Sequence, residues 1–113
     1  MDNFLVRKSG SALKNDNITT STKPFLHPNF PNPFNPFTRL GFGLPNDEHV
    51  TIRIYNLLGQ EVNTLVNDRL TAGYRFIIWN GTNNLGSAAT SGIYIVVMEA
   101  ESFRQTRKMV LLK

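Results

Sequence analysis

The stretch His49-Val50-Thr51-Ile52-Arg53-Ile54-Tyr55-Asn56 decides the fold. In an extended chain Val50, Ile52 and Ile54 fall on one face and Thr51, Arg53 and Tyr55 on the other, the period of a half-buried β-strand. Upstream, Pro45-Asn46-Asp47-Glu48 is a turn-forming string that closes a run over residues 37–44. Downstream, Leu58-Gly59-Gln60 makes a tight turn into a strand over 61–66. Asn67-Asp68 and Thr71-Ala72-Gly73 then break the chain before a strand over 74–79. Asn80-Gly81 is a strong turn signal, residues 82–92 form a polar loop, and strands over 93–100 and 104–112 pair across a short connection. No window has helical periodicity. With a possible edge strand near 24–28, the pattern predicts an all-β, immunoglobulin- or fibronectin-III-like antiparallel sandwich of about seven strands.

The same alternation assigns faces. Val50, Ile52, Ile54, Ile77, Trp79, Tyr94 and Val96 are the predicted core, and Met98 shares the face of Tyr94 and Val96. Tyr74, Phe76 and Ile78 then point outward, as do Ile93, Ile95 and Val97. Two such apolar stripes, read as neighbours, call for a cover, either loops such as the proline-rich entry or a partner.

At 113 residues the chain suits one domain. The absence of cysteine excludes disulfides, thiolate nucleophiles and cysteine-ligated metal sites, and it leaves the compartment open. The net charge of +4 is unevenly spread. Arg7, Lys8, Lys14 and Lys23 sit at one end and Arg104, Arg107, Lys108 and Lys113 at the other, while residues 24–103 carry Arg39, Arg53, Arg69 and Arg75 against Asp47, Glu48, Glu61, Asp68, Glu99 and Glu101. A slightly acidic centre with basic ends lacks the continuous basic face that nucleic acid requires, so no nucleic-acid partner is expected. No apolar run is long enough for a membrane-spanning helix, and residues 1–10 lack the apolar centre of a secretory signal. A secreted protein would therefore carry this sequence as a C-terminal piece. Residues 1–23 read as a polar linker or arm, and 24–113 as the sandwich. Its entry segment, 24–36, holds Pro24, Pro28, Pro31, Pro33 and Pro36, which impose an extended path.

Five motifs stand in order: Pro31-Asn32-Pro33-Phe34-Asn35-Pro36; Val50-Thr51-Ile52-Arg53-Ile54-Tyr55-Asn56-Leu57-Leu58-Gly59-Gln60-Glu61-Val62; Gly73-Tyr74 with Trp79-Asn80-Gly81; Ser91-Gly92-Ile93-Tyr94; and Lys108-Met109-Val110-Leu111-Leu112-Lys113. Together they resemble the type IX secretion system C-terminal sorting domain, type A, over roughly three-quarters of the chain, and are similar to the Ig-like domain of flagellar hook-capping proteins. The resemblance implies a non-catalytic secretion address and cell-surface anchoring module, read by an outer-membrane translocon and a sortase-like processing protein. It also implies passage through the periplasm to the exterior or the outer-membrane surface. By resemblance, translocon recognition falls on Ser91, Gly92, Tyr94, Arg107, Lys108, Val110, Leu112 and Lys113. The sequence departs from the family at Asn80, where Asp is usual, and in a longer loop over 86–90.

The residues offer little to catalysis. His27 and His49 are the only histidines, and no spacing of His, Asp and Glu suggests a metal triad. Asp47-Glu48 and the pair Glu99 and Glu101 read as solvated acids, no glycine string continues into a phosphate loop, and the loop over 80–91 holds no carboxylate for calcium. No enzyme activity, metal or cofactor is expected. Asn17-Ile18-Thr19 and Asn80-Gly81-Thr82 fit the glycosylation pattern, which arises often by chance. The alternative function is an extracellular structural sandwich, a spacer, adhesin or filament subunit. It would assemble through Asn3-Phe4-Leu5-Val6-Arg7, whose three consecutive apolar residues a solvated linker would not need.

Overall fold

The computed structural model describes residues 23–113; the linker up to residue 22, with the proposed assembly segment 3–7, lies outside the described residues. Seven strands follow in order: β1 (Phe25–Leu26), β2 (Thr38–Leu44), β3 (Glu48–Tyr55), β4 (Glu61–Leu70), β5 (Gly73–Trp79), β6 (Gly92–Ala100) and β7 (Phe103–Leu111). They form a three-stranded sheet, β1-β2-β5, and a four-stranded sheet, β4-β3-β6-β7, with every strand pairing antiparallel. The chain changes sheet after β2, after β4 and after β5, the Ig-type way of closing a core between two sheets.

Alternation places the core between the layers. Val50, Ile52 and Ile54 of β3 are fully buried and pair with Ala100, Met98 and Val96 of β6. Leu40 and Phe42 of β2 and Trp79 of β5 face them from the other sheet. Trp79 packs between Phe34 (ring centroids 5.5 Å) and Tyr94 (5.2 Å), and its indole N–H donates to Thr82 O at 2.8 Å, so its one polar atom is satisfied.

The entry segment crosses from one sheet to the other. Phe30 exchanges both backbone hydrogen bonds with Arg39 on β2, then Phe34 takes up a parallel bridge to Leu111 on β7. Phe34 N–H donates to Val110 O at 2.9 Å and Phe34 O accepts from Leu112 N–H at 3.0 Å. Prolines suit this course, because a segment on a sheet edge forgoes few ladder bonds and offers no further edge. Buried Asn29 holds the bend by donating to Thr38 Oγ1 at 2.9 Å and Pro31 O at 3.2 Å.

Three features differ from the sequence reading. β4 runs through Asn67-Asp68 to Leu70, because Asn67 and Asp68 pair with Thr51 and Val50 of β3 and keep their side chains exposed. The two outer apolar stripes are not neighbours, since β5 and β6 belong to different sheets. Val97, assigned outward, is nonetheless buried, because β6 is an interior strand and Val97 sits between Arg53 and Thr106 of the flanking strands. On the other sheet the cover is partial. Gly41 and Gly43 present bare backbone outward, and the rings of Tyr74 and Phe25 lie over them where a Cβ would collide. Phe25 stacks on His27 at 4.8 Å and on Tyr74 at 5.9 Å, while Phe76 and Ile78 stay more than half exposed.

Candidate recognition surface

The residues that the resemblance singled out converge on the β6–β7 hairpin and its flanks. Glu101 turns this hairpin with a positive φ of 54°. Gly92 pairs with Leu111, Ile93 with Val110, Tyr94 with Met109 and Ile95 with Lys108. Alternation then divides the set. Tyr94 is buried against Trp79, and its hydroxyl donates to Thr90 O at 2.6 Å, so it shapes the start of the hairpin from within. Arg107 is half-buried and its Nε donates to Leu26 O at 3.0 Å, across the gap to the other sheet. Lys108, Leu112, Lys113 and Ser91 are exposed, Val110 and Gly92 are half-buried, and Lys113 N–H donates to Ser91 Oγ at 2.9 Å.

What reaches solvent is a short apolar strip, Ile93, Val110 and Leu112, with Lys108 and Lys113 beside it. Ile93 lies within the Ser91-Gly92-Ile93-Tyr94 motif, and its outward parity was legible. Missed were the anchoring roles of Asn32 and Phe34, which hold the terminal strand. Asn32 donates through Nδ2 to Lys108 O at 3.3 Å and accepts from Val110 N–H at 3.0 Å, reproducing with a side chain the bonds of a neighbouring strand. The proline-asparagine run was the available signal, its prolines marking an extended entry segment.

The long polar loop is fixed as well. Asn84 N–H donates to Val62 O at 2.9 Å and its Oδ1 accepts from Thr64 N–H at 2.9 Å, while Asn63 Nδ2 donates to Thr82 O at 2.6 Å. Hydrogen bonds from the Thr64 and Asn84 side chains hold the Glu61 carboxyl below its ordinary value, Arg53 adding to this. At the opposite end of β3, burial raises the Glu48 carboxyl, the charge of Glu101 raises it further, and Arg69 partly offsets both. Among the described residues no group of three His, Asp or Glu side chains is placed to hold a metal ion.

No curated protein matches the chain. Among solved structures it is similar to dimeric latent PorU from Porphyromonas gingivalis, with TM-score 0.60 and 19% identity over 82% of this chain and 10% of that one. FlgD from P. aeruginosa matches with TM-score 0.52 and 18% identity, over 66% of this chain and 59% of that one. PorZ, an essential surface component of the type-IX secretion system of P. gingivalis, matches with TM-score 0.52 and 14% identity over 80% and 11%. The chain thus spans about a tenth of PorU and PorZ and 59% of FlgD, and at these identities the likeness is one of fold. The FlgD Ig-like domain matches residues 35–103, from the end of the proline run to the first residue of β7, and includes the Trp79 core and the anchored loop. With that match covering more than half of the sequence and the sandwich topology agreeing, the chain belongs to the FlgD Ig-like domain family.

Proposed function

We propose that this domain is a non-catalytic address of type IX secretion, a type A sorting domain, read by the outer-membrane translocon and a sortase-like processing protein. On this reading residues 24–113 are the sorting unit, residues 1–23 tether it, and the site of action is the exterior or the outer-membrane surface. The observation that carries the reading is the presentation of the terminal strand. Asn32 and Phe34 clasp its edge from Lys108 to Leu112, leaving Ile93, Val110 and Leu112 as an apolar strip beside Lys108 and Lys113. Ile93 lies within the family match, whereas Lys108, Val110, Leu112 and Lys113 lie past residue 103, where that match stops. The motif resemblance and the fold-level likeness to PorU and PorZ support the same assignment.

The test is a signal-bearing fluorescent protein fused ahead of the whole chain in a type IX-competent bacterium. Lys108→Glu combined with Leu112→Asp alters only exposed side chains. Export to the cell surface is expected to be lost while the purified variant melts like the parent; unchanged export overturns the reading.

A second reading, a structural extracellular sandwich, is favoured by the outer face of the three-stranded sheet. Phe30, Phe37, Phe76 and Ile78 are all more than half exposed there, with the Arg39 guanidinium 4.4 Å above the Phe76 ring. Concentration-dependent assembly of the purified chain in sedimentation would support this second role.

A further inference from the structure

Sheet edges in this sandwich are treated unequally. β1 presents Leu26 N–H and C=O away from β2, and both are taken by side chains of β7, Gln105 Oε1 at 3.0 Å and Arg107 Nε at 3.0 Å. The β7 edge is clasped by Asn32 and Phe34, and the β4 edge around Val62 and Thr64 by Asn84. β5 has no second strand beside it among the described residues. Its free edge borders a groove of about 330 Å³ facing β4, floored by Phe42, Leu65, Val66, Leu70 and Ile77, with Asp68 and Arg75 at the rim.

A strand added to β5 would meet apolar surface on both of its faces. Its inward side chains would enter the groove beside Ile77, and its outward ones would extend the stripe of Phe76 and Ile78. An ordinary half-buried strand alternates apolar with polar; only a strand wanted on both sides carries consecutive apolar residues. Residues 3–7 do so, with Phe4 and Val6 on one side, Leu5 on the other and Arg7 to meet a carboxylate such as Asp68. We infer that residues 3–7 add to the free edge of β5 of their own domain and fill this groove.

Reach favours the same chain. Lys23 precedes β1 at the sheet end where Gly73 opens β5, since Phe25 pairs with Gly43 and Gly43 with Tyr74. From β1 to a strand beyond β5 is three strand spacings, about 14 Å. Residues 8–23 could span up to about 50 Å if fully extended, well beyond this distance. Such a tether holds the segment at millimolar effective concentration, well above that of a second copy in dilute solution.

Amide exchange and NOE measurements by NMR on the full chain test this. Amides of residues 4–7 are expected to exchange roughly tenfold or more slowly than an unstructured peptide, equally at low and high protein concentration. NOEs from Leu5 and Val6 should reach Leu70, Phe76, Ile77 or Ile78. Leu5→Pro and Val6→Pro are made separately, because adjacent residues alternate and one of them falls on a ladder position; that one should abolish the slowing while β3 and β6 keep theirs. Peptide-like exchange, protection that appears only at high concentration, or NOEs to another edge would each overturn the inference.

Discussion

Leu26 and Arg107, separated by 81 positions, are joined directly: Arg107 Nε donates to Leu26 O at 3.0 Å. The alternating ladder explains the need. His27 N–H bonds Gly41 O on β2, so Leu26, one residue earlier, turns its backbone groups away from that partner and toward the other sheet. Gln105, two residues before Arg107 on the same face of β7, takes the Leu26 N–H. A residue singled out for recognition thus acts as a buckle between the two sheets.

Arg107→Ala is expected to destabilise the domain by about 1.5 to 3 kcal/mol, since it leaves a part-buried carbonyl without its charged donor. Urea unfolding measures the loss, and export of a fusion should fall only as far as the folded fraction does. A midpoint equal to that of the parent would show that water replaces the guanidinium without cost.

Trp79 is fully buried between Phe34 and Tyr94. Trp79→Ala should cost about 3 to 5 kcal/mol, a large fraction of the stability of so small a domain. In the parent the single tryptophan should emit at short wavelength when folded and shift to the red on unfolding. A thermal melt of the variant that superposes on the parent would refute its place in the core.

Gly43→Ala puts a methyl group where the Phe25 ring lies. The expected loss is about 1 to 3 kcal/mol through displacement of the ring. In a Phe25→Ala background the same substitution should cost much less, and a double-mutant cycle reads the difference. Additive effects would mean that the ring does not cover the glycine.

Glu48 and Glu61 should respond to acid with opposite sign. Glu48 has a folded pKa raised above the ordinary 4.5, so the fold binds its proton more tightly and gains stability from this group as pH falls from neutral through that raised value. Glu48→Gln should stabilise the domain at neutral pH and remove the gain. Glu61 has a folded pKa below 4.5, so its contribution is present above that value and disappears as pH falls through the lowered one. Denaturation midpoints of the parent and the two glutamine variants, followed from pH 7 down to about pH 3, check both signs.

Strand existence and inward parity were legible in the sequence because they are local. The alternation of residues 49–56 fixes which side chains share a face whatever partner lies beside them, and Val50, Ile52 and Ile54 are indeed fully buried. Turn chemistry at Gly59, with φ of 82°, is equally local. Partnership is not local, and only the tertiary structure decided it. Whether Asn67-Asp68 ends a strand depends on Val50 and Thr51 offering them a ladder, and whether Val97 is exposed depends on β6 having a neighbour on each side. The role of Arg107 rests on an unpaired carbonyl at Leu26, which no reading of residues 104–112 alone could anticipate. The same holds for the proline run. Its extended path follows from ring-locked φ angles, but its clasp on the last strand exists only because the sandwich brings Asn32 and Phe34 beside Lys108, Val110 and Leu112.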